Sequence, residues 1–125
     1  MTANPRRVLY IEDNRDNRIL VRRILEADGY LVIEAGDARS GLEQAVNQPP
    51  DLILIDINLP GVDGYSTTAQ IRATPGLEHV KVVAITANVM KGDREKTLAV
   101  GCDGYIQKPV DVDQLPRQIA RFLES

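Results

Sequence analysis

Five short apolar runs recur along the chain, and longer amphipathic stretches separate them. The runs are Val8–Ile11, Tyr30–Glu34, Leu52–Ile55, Val82–Ile85, and Tyr105–Ile106 with its flanks. Each favours aliphatic and β-branched residues and is too short for a helix, so each reads as a strand. The intervening stretches carry helical spacing. In NRILVRRILEADG, Leu20/Ile24 and Val21/Leu25 form i,i+4 pairs, and Gly29 provides a C-terminal stop. In DARSGLEQAVNQ, Asp37 is a candidate N-cap, with Leu42, Ala45 and Val46 on one side. YSTTAQIRATPG ends at Pro75-Gly76, and a further helix is expected from Val89 to Val100, closing on Gly101. Leu115, Ile119, Phe122 and Leu123 make a last stripe, and Pro116 predicts a helix start no earlier than about Asp113.

Five strands alternating with five helices predict an α/β fold, a parallel sheet covered on both faces. Right-handed crossovers favour a doubly wound five-stranded (βα)5 sheet, with flavodoxin-like strand order as the expectation. Whatever the order, a functional site in such a sheet belongs at the carboxyl ends of the central strands.

The chain length of 125 residues suits one domain, because a second core would leave both halves too small. Residues 1–7 are expected to form a flexible leader and residues 8–125 the domain. A net charge of −3 gives no general electrostatic reason to bind nucleic acid directly. The lone cysteine, Cys102, excludes an intrachain disulfide and has no second thiol or histidine nearby in sequence, which favours a small buried residue. The only histidine, His79, lies in a polar stretch, so a surface role is expected. MTANPRR lacks the apolar core of a secretory signal. Every apolar run falls far short of the roughly 20 residues needed to cross a bilayer. A cytoplasmic protein without direct membrane contact is the expectation.

The strand ends carry the chemistry. The first strand ends in Glu12-Asp13, the third in Asp56 with Asn58 two residues on, the fourth in Thr86, and the fifth in Lys108-Pro109. The second ends near Glu34-Ala35-Gly36, with nothing distinctive. Each residue alone has an ordinary structural use: Asp13 or Asn14 as a helix cap, Thr86 as a strand terminus, Lys108 as a loop residue. Their conjunction at one edge is what raises the chemical reading. Two carboxylates about 4 Å apart repel by roughly 4 kcal/mol at an effective dielectric near 20. Such crowding raises pKa values or recruits a cation, and a sparse set of hard oxygen ligands favours magnesium. A lysine ammonium and a threonine hydroxyl can hold phosphoryl oxygens. Phosphoryl transfer asks for an in-line nucleophile, charge neutralisation and positioning. Asp56 is the candidate nucleophile, with Lys108 and Thr86 as its helpers.

At this point the chain resembles the receiver domains of two-component response regulators. The resemblance rests on IEDN (Ile11–Asn14), LILIDINLPGVDGY (Leu52–Tyr65), AITANVMKGDREK (Ala84–Lys96), AVGCDGYIQKPV (Ala99–Val110) and the closing helix. It implies that Asp56 accepts a phosphoryl group from a phosphohistidine on a histidine kinase or histidine phosphotransfer protein. It further implies that Asp13 and Asp56 ligate magnesium directly, Glu12 through water, and Asn58 through its backbone carbonyl. Lys108 would contact the phosphoryl group, next to a cis peptide before Pro109. Thr86 and Tyr105 would form a switch that changes contacts with a downstream protein on the face made by the fourth helix, the last strand and the last helix. Such a domain catalyses its own phosphorylation and dephosphorylation and is not a turnover enzyme.

Two departures from the family pattern stand out. Asn58 occupies a position where many receivers have methionine or glutamate, and Asn88–Gly92 resembles receivers of hybrid kinases or stand-alone regulators. The closing helix ends near Ser125, so no DNA-binding output domain is expected, and Met1 with its polar leader favours a stand-alone regulator. Three alternatives accompany this reading. A haloacid-dehalogenase-like phosphatase shares the residue types, but its acidic pair follows the lysine, and the second carboxylate it needs is Asn58 here. A flavodoxin-type electron carrier is opposed by Glu12, Asp13 and Asp16, which would repel an anionic flavin phosphate. A receiver fold kept only as a non-phosphorylated binding module is the third.

Overall fold

The computed structural model describes residues 5–57, 64–86 and 101–124. In chain order the elements are β1 (Arg7–Ile11), α1 (Arg15–Ala27), β2 (Leu31–Ala35), α2 (Ala38–Asn47), β3 (Leu52–Asp56), α3 (Gly64–Ala73), β4 (Lys81–Thr86), β5 (Gly104–Gln107) and α4 (Gln114–Glu124). The five strands are parallel and lie in the order β2-β1-β3-β4-β5. This is the expected doubly wound, flavodoxin-like sheet. The helix expected from Val89 to Val100 falls outside the described residues.

Local chemistry explains where the helices begin. Asn14 caps α1, its Oδ1 accepting from Asn17 N at 2.9 Å, and Asp37 caps α2 in the same way, accepting from Ser40 N at 2.7 Å. Asp111 Oδ1 accepts from the backbone N–H groups of Asp113 and Gln114 at 2.9 and 3.0 Å, which sets the start of α4. Pro116 then sits in the first turn, where its missing N–H costs nothing. α1 stops where Gly29 takes a positive φ of 95°, while the Tyr30 N–H returns to the Leu25 carbonyl at 3.1 Å.

Side chains alternate across the sheet with the two-residue period of a strand, and each strand feeds two cores. Leu9, Ile11, Ile53, Ile55, Val82 and Ala84 belong to one core with residues of α2 and α3. Val8, Tyr10, Leu52, Leu54, Val83 and Ile85 belong to the other, with residues of α1 and α4. All five residues of β3 are buried, since the strand is covered on both faces. Fully burying each such aliphatic side chain contributes about 1.5–3 kcal/mol.

Two helix faces differ from the sequence pattern. Val46, expected beside Leu42 and Ala45, is 51% exposed, and Leu20 is 45% exposed although it pairs by spacing with Ile24. In α2 the inward position belongs instead to Gly41, because the helix presses directly on β1. A Cβ there would lie 2.5 Å from Ile11 Cδ1 and 2.7 Å from its Cγ1. Overpacking outweighs the small gain in helix propensity, so Gly41→Val is expected to lower stability by about 1–3 kcal/mol. Urea unfolding measures this, and an unchanged midpoint would mean that α2 can lift from Ile11 without cost.

Arg72 of α3 ties the far end of the fold together. Its guanidinium donates to the carbonyls of Gly101 at 2.8 Å and Val80 at 2.7 Å, and it also pairs with Asp103. Asp103 in turn accepts from Val82 N at 2.8 Å. These bonds fasten the segment that leads into β5 to α3 and to the start of β4. Cys102 is buried and His79 is exposed, as expected. No helix among the described residues is long and apolar enough to cross a membrane.

Candidate functional site

β1 and β3 are neighbours, but the chain leaves β1 towards β2 on one side and returns to β3 on the other. The reversal opens a crevice beyond the carboxyl ends of these two strands. β1 delivers Glu12 and Asp13 there, and β3 ends in Asp56. One carboxylate oxygen from each lies within 4.8 Å of the others, with Glu12 and Asp56 buried and Asp13 exposed. From β5, Lys108 Nζ reaches across to donate to Glu12 Oε1 at 2.8 Å and to Asp56 Oδ2 at 2.9 Å. The Lys108–Pro109 peptide is cis.

The remaining expected residues are placed less centrally. Thr86 ends β4 and is buried. Its carbonyl accepts from Lys108 N at 2.8 Å, so the two residues adjoin at the sheet edge. Tyr105 lies on β5, half-buried against the core shared with α2 and α3. Asn58, expected as a carbonyl ligand, lies outside the described residues.

Glu12 is 1% exposed, and burial by itself would push its carboxyl up. The Lys108 ammonium and the surrounding hydrogen bonds outweigh that effect and hold Glu12 at about 2. Burial works against the charge on Lys108 as well, but the bonds to Glu12 and Asp56 push the ammonium up from its ordinary value. Three carboxylates facing one ammonium leave a formal excess of negative charge, and the exposed side at Asp13 gives water and ions access. Hard oxygen donors in a small open cluster suit a divalent cation that keeps several of its waters. The set Glu12, Asp13 and Asp56 could hold magnesium.

Three contributors escaped the sequence reading. Tyr10 donates its hydroxyl to Glu12 Oε1 at 3.1 Å, Asn17 Nδ2 reaches the same oxygen at 3.3 Å, and Arg18 Nη1 binds the Glu12 carbonyl at 2.6 Å. Arg18 also pairs with Glu34, which joins β2 to the site. A signal for Tyr10 was present in sequence, since residues two apart on a strand share a face.

Comparison with known proteins agrees with this geometry. The model of the response regulator receiver domain family matches residues 8–120. The polar-differentiation response regulator DivK of Brucella anthropi is 40% identical over 119 residues, covering 95% of this chain and 97% of that protein. The Vibrio cholerae chemotaxis protein CheY4 superposes with a TM-score of 0.90 at 25% identity, over 94% of this chain and 98% of that one. The receiver domain of the sensor histidine kinase PA1611 from Pseudomonas aeruginosa, solved with magnesium coordinated in its active-site cleft, gives 0.88 at 36% identity, over 97% and 99%.

Proposed function

Because the chain belongs to the response regulator receiver domains, we propose that it accepts a phosphoryl group on Asp56 from a phosphohistidine of a histidine kinase or histidine phosphotransfer protein. Receiver domains are signalling proteins and not turnover enzymes, and the chemistry proposed here acts on the chain's own side chain. The observation that carries the reading is the position of Asp56, buried at the end of β3, bonded to Lys108 and crowded by Glu12 and Asp13.

In the proposed reaction a carboxylate oxygen of Asp56 attacks phosphorus in line with the donor nitrogen. The new O–P bond forms as the N–P bond breaks, and the imidazole departs with its electron pair. When bound, magnesium would supply positive charge against the charge developing on the phosphoryl oxygens. Asp13 and Asp56 would hold it directly, Glu12 through a water, and Asn58 by its carbonyl. Lys108 moves from Asp56 Oδ2 to a phosphoryl oxygen and keeps its bond to Glu12. Thr86, at the neighbouring strand end, donates its hydroxyl to another phosphoryl oxygen. Tyr105 then changes its packing, and the face around β5 and α4 exchanges its partner for a downstream protein. Neither nucleic acid nor membrane is needed, and we place this exchange in the cytoplasm.

Incubation with magnesium and acetyl phosphate is expected to add one phosphoryl group by intact mass. EDTA should prevent the addition, and hydroxylamine should remove it, because an acylphosphate is cleaved by that nucleophile. An adduct that survives hydroxylamine would place the group on serine or threonine and sink the assignment.

A further inference from the structure

The proposed reaction makes no use of Tyr10, a residue of β1 only 1% exposed whose hydroxyl nonetheless reaches the acidic cluster. Its ring belongs to the core shared with α1 and α4. Its hydroxyl meets Glu12 because Glu12, two positions on and just past the end of β1, continues the extended ladder through its N–H bond to the Ala35 carbonyl.

The main chain of Glu12 is already fastened from two directions. Its N–H donates to the Ala35 carbonyl at 3.0 Å, and its own carbonyl accepts from Arg18 Nη1 at 2.6 Å. What remains adjustable is the carboxylate, about its side-chain torsions. Four donors decide where it points: Tyr10, Asn17 and Lys108 on Oε1, and the Asn14 N–H on Oε2 at 3.4 Å. Lys108 has the shortest of these bonds, but it is also the group that must change partners during transfer. A residue that is itself exchanging contacts cannot fix its own anchor. Asn14 and Asn17 make longer contacts, 3.4 and 3.3 Å. Tyr10 holds its hydroxyl on a ring locked in the core, at 3.1 Å. Being neutral, a phenol satisfies a lone pair of the carboxylate without cancelling the charge that Lys108 needs.

We propose that Tyr10 is a positioning residue for Glu12. Its hydroxyl keeps Oε1 in place as the fixed anchor of Lys108 while the ammonium exchanges Asp56 Oδ2 for a phosphoryl oxygen. This deepens the function proposed above and rests on it.

Tyr10→Phe tests the inference, since it keeps the ring in the core and removes only the hydroxyl. The readout is the rate of adduct formation from acetyl phosphate at saturating magnesium, in four proteins: wild type, Tyr10→Phe, Glu12→Ala and the double variant. A hydrogen bond to a charged group is at stake and Asn17 remains, so Tyr10→Phe should slow the reaction about tenfold. In the Glu12→Ala background, with no carboxylate to orient, the same change should cost less than about twofold. A wild-type rate in Tyr10→Phe overturns the inference. An equal slowing in both backgrounds also overturns it, because the ring would then act only through packing. No adduct on the wild-type chain would instead fail the parent reading, and this inference with it.

Discussion

Asp56→Asn is expected to take up no phosphoryl group under conditions that modify the wild-type chain to completion. The substitution is close to isosteric, and an amide oxygen can still accept from Lys108, so the end of β3 keeps its shape. What disappears is the proposed nucleophile: a neutral amide lacks the charged oxygen that the proposed reaction directs at phosphorus. Asp13, exposed at the rim, and Glu12, bonded by Lys108, Tyr10 and Asn17, sit where neither is presented by the end of β3. Intact mass after incubation with magnesium and acetyl phosphate decides the point. An undiminished adduct on Asp56→Asn would show that another side chain is the acceptor.

Asp13→Asn and Lys108→Ala should move the stability of the metal-free protein in opposite directions. Asp13 brings like charge to within 4.8 Å of two buried carboxylates, so its neutralisation relieves repulsion. Asp13 is exposed and solvent screens it, which limits the gain to about 1 kcal/mol. The same substitution removes a charged oxygen donor, and magnesium affinity should fall by about tenfold or more. Lys108→Ala leaves Glu12 and Asp56 buried without their ammonium, at an expected cost of about 3–5 kcal/mol. Magnesium should narrow that deficit, because the cation takes over part of the neutralisation.

The pH dependence follows from the signs. Glu12 is held at about 2, below its unfolded value, so its contribution is present above about 4.3 and is lost as pH falls towards 2. Lys108 is raised, so its contribution is complete below about 10.4 and is lost as pH rises through its folded value. The gap between wild type and Lys108→Ala should therefore be level across neutral pH and shrink below about pH 4. Urea unfolding in EDTA at pH 3 and pH 7 measures it. Equal stabilities at pH 7 would remove the buried ion pair from the account.

Much of the fold was legible because its signals are local. The apolar runs marked all five strands, and Asp37, Gly29 and Pro116 marked helix ends, since caps and stops act within a few residues. Glu12, Asp13, Asp56 and Lys108 stood out as charge at the ends of apolar runs, and the structure brings those four together. Leu20 and Val46 were harder, because periodicity marks a stripe but the neighbouring element decides how wide a stripe is covered. Gly41 lies inward only because α2 approaches Ile11 so closely.

By itself the amino-acid sequence determined where the five strands of the sheet fall along the chain, most helix limits, and the chemical types found at the strand ends, because propensity, capping and periodicity are short-range effects. Only the tertiary structure decided that β1 lies between β2 and β3, that Lys108 bridges Glu12 and Asp56 across 96 and 52 residues of chain, and that Tyr10 and Arg18 brace Glu12. Strand neighbours and bonds of that length are set by simultaneous packing of two cores, and no stretch of the chain encodes them alone.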